Sequence, residues 1–128
     1  MDRYEKNYRR IDRLTGGLEA FLNGPGYLKL RASGFMDLVI ERIGENEISL
    51  AHYYEQNGDL VADPEMTVRV LPEGFAEALS FSMPGMGIYQ EVYFERDGKK
   101  YMRPRLKQDQ NAFLDKWLMN LKHQGFYA

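Results

Sequence analysis

The hydrophobic period of this chain changes twice, and those two switches constrain its fold more than any other feature. Up to residue 26 the apolar side chains recur every three or four positions, so that Tyr4, Tyr8, Ile11, Leu14, Leu18, Phe21 and Leu22 share one helical stripe. Gly16 and Gly17 interrupt the stripe at about 1 kcal/mol each, so it is either one amphipathic helix or two short helices bent at the pair. Asn23-Gly24-Pro25-Gly26 ends it.

From Tyr27 the period is two. Leu28, Leu30 and Ala32 alternate with Lys29, Arg31 and Ser33, and Met36, Leu38 and Ile40 continue the pattern beyond Gly34. Ile48, Leu50, His52 and Tyr54 share one flank of the next strand, which turns His52 toward the core. Asn57-Gly58 and Asp97-Gly98 are hairpin signals, because a type I′ turn needs positive φ at both central residues. Met66, Val68 and Val70 mark another strand, Phe75 to Phe81 a further one. The segment Ile88 to Phe94 is apolar or aromatic on both flanks, so it reads as one central strand covered on both sides. A short strand from Lys99 to Arg103 closes the run. Helical spacing then returns with Leu106, Phe113, Leu114, Trp117, Leu118 and Leu121, and Gly125 suits the position after a helix end. The expected class is α+β: an antiparallel meander sheet of six or seven strands, with an N-terminal helix and a C-terminal helix packed on one face. A single domain over 1–128 is expected, divided into 1–26 helical, 27–103 sheet and 104–128 helical.

A chain of 128 residues buries roughly 68% of its unfolded surface. It has no cysteine, which excludes disulfide scaffolds and thiolate zinc sites. Its apolar runs are too short for a membrane span of about 20 residues. Met1-Asp2-Arg3-Tyr4-Glu5-Lys6 leads into no apolar stretch, so no secretory signal is expected and the expected setting is cytoplasmic. Lys and Arg number 17 against 19 Asp and Glu, yet the signs are segregated. The middle of the chain, 27–95, is acidic and the end, 96–128, is basic. These two regions either attract each other internally or form separate surface fields.

Three groups of residues are candidates for function. His52, Asp59, Asp63 and Glu65 surround the Asn57-Gly58 turn; if they converge, an imidazole with carboxylates suits acid–base work or a divalent ion. The simpler reading makes His52 a core residue and the acids turn formers. Arg96, Lys99, Lys100, Arg103, Arg105 and Lys107 form a basic run around Tyr101 that could follow a phosphate backbone, or merely discourage strand-to-strand association. Tyr53, Tyr89 and Tyr93 fall on the flank opposite the expected core, as an interface, a homodimer contact or a pocket wall. Nucleophile elbows and phosphate-binding loops are absent from the sequence. No cofactor is expected.

The run from His52 through Asp59, with Asp63-Pro64-Glu65-Met66, Phe113, Trp117, Asn120-Leu121 and Gln124-Gly125-Phe126, resembles an uncharacterised bacterial domain family found on plasmids and integrative elements. The resemblance covers about residues 27 to 126 and leaves out the first 26. Met66-Thr67-Val68-Arg69 and the Asn111 to Leu118 helix are similar, more distantly, to a second uncharacterised proteobacterial family. Both likenesses imply a mobile-element accessory protein and assign no activity. The expected function is therefore a non-enzymatic binding or protein-interaction module whose partner is a macromolecule or a second copy. The alternative is a small metal-dependent enzyme or ligand-binding domain at the His52 to Glu65 hairpin. Nucleic-acid binding through 96–107 comes third, and no membrane partner is expected.

Overall fold

Each switch of period becomes a change of element in the computed structural model, which describes residues 2–128. Helix α1 (Arg3–Leu14) starts where the Asp2 side chain accepts a hydrogen bond from the Glu5 amide at 2.9 Å. Gly16 and Gly17 follow with φ of +74° and +126°, conformations that side chains disfavour, and α2 (Leu18–Asn23) begins beyond them. The glycine pair thus divides the stripe into two helices. Asp12 accepts from the Leu18 amide at 2.7 Å and holds the second helix against the first.

Six strands follow: β1 (Tyr27–Leu30), β2 (Leu38–Gly44), β3 (Glu47–Gln56), β4 (Asp59–Leu71), β5 (Phe75–Met83) and β6 (Ile88–Glu91). Each pairs antiparallel with its sequence neighbour, so the sheet is a meander in the order of the chain. The Asn57-Gly58 turn takes φ of +53° and +84°, the pair of positive values its residue types predict. Strand β4 is longer than the Met66 to Val70 pattern because its pairing continues back to Asp59. The register shifts between Ala51 and Tyr53, opposite Asp63-Pro64, where a residue without an N–H meets an interrupted ladder.

The expected central strand Ile88 to Phe94 does not form. It breaks at Val92, whose amide donates to the Leu79 carbonyl at 2.9 Å and whose carbonyl accepts from the Arg103 amide at 2.8 Å. Strand β6 is therefore a sheet edge, and β7 (Tyr93–Arg96) pairs only with β8 (Lys99–Met102) in a separate hairpin. Val92 itself is fully buried. Apolar residues on both flanks served two environments in succession, not one strand with two covered faces.

Helix α3 (Pro104–Gln124) and α1 pack on the same face of the sheet. Ile11, Leu114, Trp117, Leu118 and Leu121 meet Leu38, Ile40, Ile48, Leu50, Met66, Val68 and Val70, each worth about 1.5–3 kcal/mol of burial where large and fully enclosed. Where β6 stops, the first half of β5 has no strand partner on that side. Asn111 fills the gap: its side-chain carbonyl accepts from the Ala78 amide at 2.8 Å while its NH2 donates to the Lys107 carbonyl at 2.8 Å. At the far end of α3, Gly125 (φ +96°) lets the Phe126 amide donate to the Leu121 carbonyl at 3.0 Å, which folds the tail back and buries Phe126. Among the described residues no helix is long and apolar enough to cross a membrane.

Candidate functional site

The hairpin candidates separate. His52 lies in the core, 8% exposed, with Trp117 and Phe126 ring centres at 5.7 and 5.6 Å. Its Nδ1 stands 3.1 Å from the Asp37 carbonyl, which can only accept, so Nδ1 carries the hydrogen. Glu65 pairs across from Ala51, not His52, and its side chain therefore leaves the opposite face of the sheet. There it accepts from the Ser49 hydroxyl at 2.8 Å. Asp59 sits exposed at the turn opposite Gln56, and Asp63 is half-buried beside Tyr54 and Met83. Convergence of His52 with two of these acids, which the enzyme reading requires, does not occur. Among the described residues no three His, Asp or Glu side chains gather as a metal-binding set.

The face on which Glu65 emerges has an order that alternation alone could not reveal. One cross-strand row runs Lys29, Val39, Ala51, Glu65, Ser82, Tyr89 through all six strands. The next runs Tyr27, Glu41, Ser49, Thr67, Ser80, Glu91. The second row is small through its middle, at Ser49, Thr67 and Ser80, whereas the first sets Glu65 between the small Ala51 and Ser82; Ser49, Ala51 and Ser80 are buried although α1, α2 and α3 stand on the other face. Acidic and aromatic side chains rise around them. Tyr53 enters beside this floor from the adjoining row, opposite Ala62. Burial pushes the Tyr53 hydroxyl pKa up, and Glu65 adds to the shift. Tyr89 is raised by partial burial and then by Glu91 and Glu65. Glu65 therefore lies within electrostatic reach of both tyrosines. Glu41, Glu65 and Glu91 have no ion-pair partner among the described residues.

Tyr93 does not join the other two tyrosines. Beyond the break at Val92 its hydroxyl donates to Glu77 at 2.8 Å, and Lys107 and Arg69 approach the same carboxylate at 3.1 and 3.2 Å. Desolvation pulls the Lys107 pKa down, but Tyr93 and Glu77 outweigh it and hold the pKa above the ordinary lysine value. Arg103 is also engaged, stacked 4.0 Å from the Phe94 ring centre and donating to the Glu91 carbonyl at 2.8 Å. Lys99, Lys100 and Arg105 remain exposed. A cleft of about 670 Å³ separates the β7–β8 hairpin from the sheet, with Arg69, Glu91, Phe94 and Lys100 among its walls. Sequence reasoning missed Glu41 and Glu91, which only the strand register sets beside Ser49 and Tyr89. It also missed Glu77, where the acidic middle of the chain meets the basic end.

A family model described as Domain of unknown function (DUF6908) matches residues 6–127. The chain belongs to this family. The match takes in α1 and α2 along with the sheet and α3, so the N-terminal helices are part of the family's domain and not an appendage to it. No curated protein and no solved structure matches the chain.

Proposed function

We propose that this domain is a non-enzymatic protein-interaction module that offers the helix-free face of its sheet, centred on Tyr53, Glu65 and Tyr89, to a partner with basic groups. The single observation that carries the reading is the pair of uninterrupted rows across six strands, in which Glu41, Glu65 and Glu91 stand with Tyr27 and Tyr89 around a low floor of Ser49, Ala51, Thr67, Ser80 and Ser82. The one cation in these rows, Lys29, is paired with Asp37, and α1, α2 and α3 lie on the other face. Tyrosine supplies contact area at low entropic cost with a polar tip, and Tyr89 is 64% exposed. Unpaired carboxylates beside it favour a cationic partner surface. Engagement of Arg103 and Lys107 within the molecule argues against a phosphate backbone tracking 96–107. The bacterial mobile-element and cytoplasmic setting belongs to the same proposal. It rests on the resemblance of the His52 to Phe126 motifs and on the soluble composition of the chain.

Photo-crosslinking in the host cell tests this reading. A benzoylphenylalanine at position 89 is expected to capture a protein that the same group at Met119, on the outer side of α3, does not. That protein, purified, is expected to bind the domain at least tenfold more weakly after Glu65→Lys with Tyr89→Ala, as befits an aromatic anchor beside a charge. Equal capture from both positions, or affinity unchanged by the substitutions, would overturn it. Sedimentation velocity distinguishes a second copy of the chain from a different protein.

A further inference from the structure

Away from the sheet's open face, a cavity of about 390 Å³ lies where the end of α1, the last turns of α3 and the returning tail meet. Its volume falls in the range of roughly 300–1,000 Å³ typical of small-molecule sites. Leu14, Leu118 and Phe126 form an apolar floor, and all three are buried. The tail that completes it is fixed by backbone bonds: Phe126 to Leu121, and the Ala128 amide to the Leu14 carbonyl at 3.1 Å. Tyr127 stands at the lip, 72% exposed.

Three cations surround this floor, and they are not equivalent. Arg10 is bound to Asp115, whereas Arg13 and Lys122 have no ion-pair partner among the described residues. An apolar floor under two free cations complements a molecule with an aliphatic body and one anionic end. We infer that this cavity binds an alkyl carboxylate, its chain on Leu14, Leu118 and Phe126 and its carboxylate between Arg13 and Lys122. Both α1 and α3 finish here, and the partial negative charge of their ends favours Arg13 and Lys122 but opposes an anion, so these two side chains must supply all of its attraction.

The test uses the full chain and sodium decanoate below its micellar range, followed by titration calorimetry and by chemical shifts of the Leu14 and Leu118 methyl groups. Decanoate is expected to bind with shifts confined to these methyls and the tail. The double variant Arg13→Glu, Lys122→Glu changes only exposed residues and is expected to weaken binding at least tenfold while its circular dichroism stays unchanged. Decanol and decyltrimethylammonium are the controls, and binding as tight as that of decanoate would reduce the site to a greasy patch and overturn the inference. So would no binding of decanoate, or binding indifferent to the double variant. Phosphatidylglycerol vesicles form the last arm: co-sedimentation that needs Arg13 and Lys122, with no decanoate binding, would replace the cavity by a lipid surface.

Discussion

His52 is held by three neighbours of different kinds: the Asp37 carbonyl, the Trp117 indole and the Phe126 ring. Replacing it with alanine removes both ring contacts and leaves a shielded carbonyl without its donor. His52→Ala is expected to destabilise the fold by about 2–4 kcal/mol. Urea unfolding followed by Trp117 fluorescence checks this, and a change under about 0.5 kcal/mol would mean that the imidazole is not part of the core. Its inward direction was legible, because Ile48, Leu50 and His52 keep one parity along β3. The direction of Glu65 was not. Its position opposite Ala51 follows from register, and register at this hairpin is offset by a bulge at Asp63-Pro64 that no local letter pattern specifies.

Among the elements, α1 and α3 are clamped by Asp115, which receives Arg10 and Arg3, the latter at 3.3 Å. Burial raises the Asp115 carboxyl, but the two guanidinium groups outweigh it and hold its pKa below the ordinary carboxylate value. A carboxylate depressed on folding contributes stability that is present above its unfolded pKa and is lost as pH falls through the folded one. Asp115→Asn is therefore expected to lower Tm by about 3–5 °C at neutral pH and to flatten the loss of stability below about pH 4. Superimposable acid limbs for the two proteins in scanning calorimetry would show the clamp to be inert. The turns at Gly16-Gly17, Asn57-Gly58 and Asp97-Gly98 were readable because positive φ is a property of the residues themselves. The break at Val92 was hidden, since a valine suits a continuing strand as well as a buried corner. Asn111 was hidden too: a polar residue on a helix reads as surface until the bare edge of β5 beside it is known.

At the scale of the whole molecule, the acidic middle and basic end are joined by one ion pair among the described residues, Lys107 to Glu77; Asp37 and Asp115 take their cations from their own charge regions or from α1. The two fields otherwise form no ion pair among the described residues, although Glu91 at the edge of the open face and Lys100 line the same cleft. Stability is graded across the same architecture. Strands β3 and β4 are paired with a strand on both sides and covered by α1 and α3, whereas the backbones of β7 and β8 pair only with each other. Amides from Ile48 to Leu50 and from Met66 to Val70 are expected to exchange with deuterium most slowly, and those of the β7–β8 hairpin at least a hundredfold faster. Uniform protection across both sheets would mean that the hairpin unfolds only with the body of the protein.

The Asn111 bond to Ala78 bears on more than the seating of α3. A neighbouring molecule seeking to add a ribbon along that border of β5 finds its first donor already claimed by an amide from within. Ordered aggregation through this margin must wait for the long helix to swing away, so the contact that anchors the helix also closes this one border to a second copy.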